Sequence, residues 1–178
     1  HKIGAWLLHY STDYVFDGSG TQPWLETDTL APLNVYGRSK LEGECLIQAA
    51  CPRHLIFRTS WVYGTRGRNF AKTMLHLAQE RQRLTVVNDQ WGAPTGAELI
   101  ADISAHVARK VLRRPQDAGL YHLAASGATT WHGYASHVIH HAKSLHPVPK
   151  IKASEIAPVA SNAFPTVAKR PHNSRLNT

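Results

Sequence analysis

What most constrains this chain is an alternation: short apolar runs take turns with helical stretches of 12 to 17 residues. "AWLLHYST" (5–12) reads as a buried strand that ends at a polar Ser-Thr-Asp. Turn chemistry in "DGSGTQPW" and a loop closed by Pro32 lead to a helix from Asn34 to about Ala50. "HLIFRTS" (54–60), entered through Pro52, is a second strand. After the loop "WVYGTRGRN" comes an amphipathic helix from Asn69 to about Arg81, with Phe70, Met74, Leu75 and Leu77 apolar. "LTVVND" predicts a third strand and "QWGAPTG" a loop. A helix from Ala97 to about Leu112 then carries Leu99, Ile100, Ile103, Val107 and Val111 at helical spacing. "GLYHLAA" is a fourth strand, residues 130–145 a further helix, and the proline-rich tail from Pro147 reads as irregular. Such crossover units predict an α/β fold with a mostly parallel, doubly wound sheet. Ligands of such sheets sit beyond the carboxyl ends of the strands. Thr12 holds that place on the first strand, and Thr59, Ser60 and Trp61 hold it on the second.

Composition narrows the class. The 178 residues are 43% hydrophobic with ordinary glycine and proline content, so the chain has enough apolar material for a core. No apolar run nears the ~20 residues of a membrane helix, and "HKIGAWLLHY" has no small-residue cleavage site. The two cysteines, Cys45 and Cys51, form neither a CxxC pair nor a zinc knuckle, which points to a reducing, cytoplasmic setting. A net charge of +8 raises the question of nucleic acid. The basic residues are scattered, though, and no helix-turn-helix, zinc-finger or ribonucleoprotein signature accompanies them. Neither nucleic acid nor membrane is expected as a partner, and a basic surface also suits an anionic small substrate. His137 and His141 stand at i, i+4, but there is no HExxH and no acidic ligand nearby, so a solvated helix face is expected.

Within "LNVYGRSKLEGE" (33–44), Tyr36 and Lys40 lie four apart, one turn above the other on one helical face. Alone, the spacing describes a half-buried tyrosine beside a solvated lysine as well as it describes a site. Its place between two strands whose ends carry Thr12 and Thr59 gives it neighbours.

"STDYVFDG", "PLNVYGRSKLEGE", "RTSWVYG" and "DQWGAPT", in that order and spacing, resemble the extended short-chain dehydrogenase/reductase superfamily, and within it the dTDP-4-dehydrorhamnose reductases. The likeness runs from about residue 5 to the terminal "RPHNSRLNT". One departure is large: the family opens with a glycine-rich phosphate-binding turn, and no G-x-x-G-x-x-G occurs here. The resemblance implies that residues 1–65 are the C-terminal half of an NAD(P)-binding Rossmann-like domain. Residues 66–178 are then mainly a sugar-nucleotide-binding domain, intertwined with the first. It further implies NADPH, with NADH as the alternative, a dTDP-sugar substrate, and room for a homodimer and for Mg2+, neither of which the sequence specifies.

By the same resemblance Thr12, Tyr36 and Lys40 are the catalytic triad. A ketone reduced by hydride needs a proton on the nascent alkoxide and a donor that stabilises it. Free tyrosine, with a pKa of about 10, is a reluctant acid at neutral pH, and a cation one helical turn away favours the phenolate it leaves. Lys40 fits that part and is implied to bond the nicotinamide ribose beside Tyr36, with Thr59 and Ser60 flanking the nicotinamide. Asp13, Tyr14 and Trp61 are implied to meet the sugar, Trp61 by packing on its ring. Asn69, Gln90, Arg170 and Arg175 are implied to meet the nucleotide or its diphosphate, for which arginine's planar donors suit two oxygens at once. In sugar-nucleotide dehydratases of the superfamily a Thr-Asp-Glu run removes water. Here the third position is Tyr14, which favours reduction. The implied reaction is reduction of the C4 ketone of dTDP-4-dehydro-L-rhamnose. The alternatives are a sugar-nucleotide epimerase or dehydratase, or a non-catalytic subunit like the regulatory subunit of methionine adenosyltransferase. Against the last stands Trp61, since a partner protein has no sugar ring to stack.

Overall fold

The strand "HLIFRT" carries the fold's centre because almost nothing in it faces water: every residue from Leu55 to Thr59 is buried. A strand covered on both faces belongs in the middle of a parallel sheet, and that is where it lies. The computed structural model describes residues 3–147, 150–164 and 166–178. In chain order the elements are β1 (Leu7–Thr12), α1 (Val35–Ala50), β2 (His54–Thr59), β3 (Val62–Tyr63), α2 (Phe70–Glu80), β4 (Arg83–Val87), β5 (Trp91–Gly92), β6 (Thr95–Gly96), α3 (Ala97–Arg113), β7 (Gly119–His122), β8 (Thr129–Thr130), α4 (Trp131–Ser144) and β9 (Glu155–Val159). The main sheet has the order β1-β2-β7, all parallel. The expected α/β architecture with parallel crossovers is therefore observed, and β7 brings a strand from beyond residue 65 into the same sheet as β1 and β2.

Three helices start where a polar side chain can take up an orphan backbone N–H. Asn34 accepts from Gly37 N, Asn69 from Lys72 N, and Thr130 from Gly133 N. Leu55 and Phe57 of β2 pack with Ile100 and Val111 of α3 and with Leu123. A second cluster joins α2, β4 and α4 through Ala78, Leu84, Val86, Ala135 and Ile139. A third, of Val15, Phe16, Ala124 and Leu176, lies under the loop after β1, where Phe16 stacks on Trp24 at 4.7 Å.

The tail departs from the irregular course expected of it. Glu155–Val159 forms β9, parallel to β4, with Pro158 opposite Val86. Proline lacks a ladder donor and is tolerated where a strand has a free side, and among the described residues β9 pairs with β4 alone. The last residues are then stitched across the molecule. Trp91 N donates to His172 O and Ser174 N to Trp91 O, each at 2.7 Å, and Asn177 N donates to Trp24 O at 2.8 Å. This returns the C-terminal segment to the carboxyl end of the sheet. Among the described residues no helix is long and apolar enough to cross a membrane.

Candidate active site

Parallel register puts Thr12 directly opposite Thr59, so two threonines stand side by side at the carboxyl ends of adjacent strands. Thr12 is buried; its hydroxyl accepts from Tyr14 N and donates to Asp13 Oδ1, both at 3.2 Å. The buried Thr59 Oγ1 and Ser60 Oγ have no hydrogen-bond partner among the described residues. Unpaired buried hydroxyls are uncommon enough to need a reason, and two stand next to each other here.

The helix between these strands begins beside them. Asn34 caps it and also donates through Nδ2 to Lys169 O at 2.8 Å, which ties the C-terminal segment to the helix start. Tyr36, in the first turn, is 51% exposed and meets Tyr14 edge-on, with ring centroids 5.6 Å apart. Burial raises the Tyr14 phenol above its ordinary value, reinforced by the neighbouring Asp13. Lys40, one turn on, donates to the Tyr10 carbonyl and lies 3.3 Å from His9 Nε2. Partial burial, then the adjacent ammonium, holds His9 below the usual imidazole value. A neutral ring is what can face an ammonium at that distance.

Asp13 is the most perturbed carboxyl here. It is buried, and its Oδ2 has no partner among the described residues. Burial pushes it up to about 6, against the pull of the Ser174 and Thr12 hydroxyls. A carboxyl whose folded value is raised contributes stability below its unfolded value, 3.8, and loses it as pH climbs through about 6. Asp13→Asn should therefore be more stable than wild type above pH 6, by roughly 3 kcal/mol at most, and the gap should close toward pH 4. Urea unfolding of both proteins across this range checks it, and a gap independent of pH would refute the buried-carboxyl account.

Trp61 has φ 48°, left-handed backbone that a bulky residue adopts only under constraint. Its indole stacks on Trp131, centroids 3.6 Å apart and 11° from parallel. Gly92 lies so near that a Cβ there would sit 2.4 Å from the ring. Trp131 is held in turn by its Nε1, which donates to the buried Gln90 Oε1 at 3.2 Å.

Two adjoining cavities, about 940 and 690 Å³, share Leu33, Lys169 and Arg170 as walls. The smaller reaches Tyr14 and Tyr36; the larger is lined by Phe70, Met74, Gln90 and Trp131. Cationic side chains over an aromatic and aliphatic floor suit a ligand with one flat apolar part and one anionic part. Of the expected nucleotide contacts, Gln90 and Arg170 face these cavities. Asn69 and Arg175 are not among the lining residues: Asn69 caps α2 and donates to Gly64 O at 2.7 Å, while Arg175 donates to Asn173 Oδ1 and lies over the Trp91 ring. In the sequence Trp131 reads only as the start of a helix and Lys169 only as part of the proline-rich tail. No spacing links them to their partners Gln90 and Asn34, 41 and 135 positions away. Among the described residues no group of three or more His, Cys, Asp or Glu is placed to hold a metal ion.

The parallel sheet with its crossover helices defines a class, the Rossmann-like fold of the extended short-chain dehydrogenases/reductases. A solved dTDP-4-dehydrorhamnose reductase from Clostridium acetobutylicum superposes with a TM-score of 0.85 at 36% identity, over 99% of this chain and 58% of that one. The chain belongs to the RmlD substrate binding domain family, whose model matches residues 1–178. A Bacillus anthracis dTDP-4-dehydrorhamnose reductase, solved in complex with NADP, gives 0.84 at 35% identity, over 99% of this chain and 58% of that one. Among curated proteins, the dTDP-4-dehydrorhamnose reductase of Escherichia coli (strain K12) is 59% identical over 178 residues, 100% of this chain and 59% of the relative. That of Salmonella typhimurium is 58% identical with the same coverage. The chain thus spans about 59% of the length of these curated relatives.

Proposed function

We propose that the polypeptide carrying this chain uses NADPH to reduce the C4 ketone of dTDP-4-dehydro-L-rhamnose, giving dTDP-L-rhamnose for cell-surface polysaccharide. The observation that carries the reading is the convergence of Thr12, Thr59 and the Tyr36 helix at one end of the parallel sheet. The NADP in the Bacillus anthracis relative favours NADPH over NADH, and the Escherichia coli and Salmonella relatives favour the dTDP-sugar.

In this reading residues 1–65 belong to the cofactor-binding domain and residues 66–178 mainly to the sugar-nucleotide-binding domain. The unpaired hydroxyls of Thr59 and Ser60 suit the amide end of a nicotinamide, and Lys40 suits its ribose. When bound, the cofactor supplies a hydride. Thr12 donates a hydrogen bond to the ketone oxygen, and Tyr36 delivers the proton that makes it a hydroxyl. Lys40 supplies the cation that favours the phenolate left behind. Trp131 lines the larger cavity with Trp61 stacked on it, and in this reading the pair packs on the hexose ring, with Asp13 and Tyr14 at its other side. Gln90 and Arg170 line the place for the nucleotide and its diphosphate, with Asn69 and Arg175 near its margin. Tyr14 in place of an acidic residue leaves the site without the partner a dehydratase needs.

The test is direct. The natural full-length polypeptide, given dTDP-4-dehydro-L-rhamnose, should consume NADPH one-for-one with dTDP-L-rhamnose formed, identified by NMR of the product. Consumption with no rhamnose, or no consumption at all, overturns the assignment.

A further inference from the structure

Glu44 and Arg58 are a carboxylate and a guanidinium taken almost wholly out of water, 1% and 2% exposed. Arg58 Nε donates to Glu44 Oε1 at 3.0 Å and Nη2 to Oε2 at 2.7 Å, a two-pronged fork. The Ser11 hydroxyl donates to the same Oε1. Behind the fork, the guanidinium lies 5.2 Å over the Phe16 ring.

Stability is a poor reason for such a pair. Two charges lose their hydration, and apolar residues of similar volume often serve as well or better. What the pair supplies is direction, because a fork fits a carboxylate in few orientations. Its three members are placed to use that. Ser11 immediately precedes Thr12, Arg58 immediately precedes Thr59, and Glu44 lies one turn beyond Lys40 and two beyond Tyr36 on the same helical face. One buried cluster thus joins the three elements that present the candidate site.

Charge has a second consequence. A free carboxylate one turn from Lys40 would compete for its ammonium. With both oxygens engaged by Arg58 and Ser11, Glu44 leaves that ammonium to the Tyr10 carbonyl and His9.

We infer that Ser11, Glu44 and Arg58 form a positioning cluster that sets α1 against the ends of β1 and β2, and so fixes Tyr36 and Lys40 relative to Thr12. The inference rests on the reductase reading of Tyr36 and Lys40 given above. Two variants of the natural full-length polypeptide test it: Glu44→Leu with Arg58→Met, which removes both charges together, and Arg58→Lys, which keeps the charge and loses the fork. Both are expected to melt near wild type. Their kcat should fall by up to about 100-fold, with KM for the sugar nucleotide little changed. Crystal structures should show the Tyr36–Thr12 separation altered by about 1 Å, a misplacement of the size that slows a positioned reaction. A folded variant of either kind with wild-type kcat and unmoved Tyr36 overturns the inference. Should the double variant fail to fold, Arg58→Lys carries the decision by the same two readouts. Should wild type itself prove inactive, the reductase reading fails, and the crystallographic separation still decides whether the cluster positions the helix.

Discussion

Replacing Tyr36 by phenylalanine in the full-length polypeptide is expected to leave substrate binding nearly intact while turnover falls by about two orders of magnitude or more. The ring's surroundings explain the first half. Tyr36 is half-exposed and its ring rests edge-on against Tyr14, a contact phenylalanine keeps. The hydroxyl explains the second half. Thr12 can turn its one hydroxyl proton from Asp13 toward a ketone oxygen as a hydrogen bond, but an alcohol has no acidic proton to give at neutral pH. Lys40 is turned toward β1, onto the Tyr10 carbonyl. In the proposed reduction that leaves the Tyr36 phenol as the proton donor. A loss confined to kcat, with KM and the sugar-nucleotide dissociation constant held, is what removal of a transition-state proton transfer produces. A Tyr36→Phe protein that turns over within about tenfold of wild type would move the acid elsewhere, and the buried Asp13 carboxyl, raised to about 6, would be the first place to look.

How much of this could be read from residues alone depends on distance along the chain. The helix at Asn34 is a local event: a capping side chain, good helix formers and a stop near Ala50, and the structure places α1 at Val35–Ala50. The second strand was equally plain because its burial is written in its own composition. β9 was not, since three prolines within 147–158 argue against a strand when nothing indicates that β4 will lie beside it. The two-residue strands β3, β5, β6 and β8 are too short to show any period. Asn69 shows how one residue type serves two ends. An asparagine before an apolar helix is a cap by local rule, and its two polar atoms are used locally, on Lys72 N and Gly64 O. Arg58 carries a signal of its own: an arginine inside an otherwise apolar strand must be paired if it is buried. Its partner, Glu44, is 14 positions away on another element, and only the packing of α1 on the sheet joins them.

The same packing makes Gly37 the most exacting position of the helix. It sits in the first turn, directly after Tyr36, and its N–H is the one Asn34 caps, at 2.8 Å. A Cβ there would stand 2.2 Å from the Tyr14 carbonyl oxygen and 2.9 Å from Pro32 Cβ. The first obstacle is backbone, so a side-chain rotation cannot clear it. Gly37→Ala must push the helix start and the turn after β1 apart by roughly 1 Å, a displacement that can lower a positioned reaction's rate about 100-fold. Alanine normally improves a helix interior by about 0.5–1 kcal/mol relative to glycine. Here the overlap should reverse that sign and cost about 1–3 kcal/mol. Gly43, six residues along the same helix, is the control, because a Cβ there meets nothing within 4 Å. Gly43→Ala should be stabilised by up to about 1 kcal/mol with turnover unchanged. Thermal melts and steady-state kinetics on the pair decide the matter. Equal behaviour of the two alanines would mean that the helix start does not press on Tyr14, and that Tyr36 is held in place by something other than this contact.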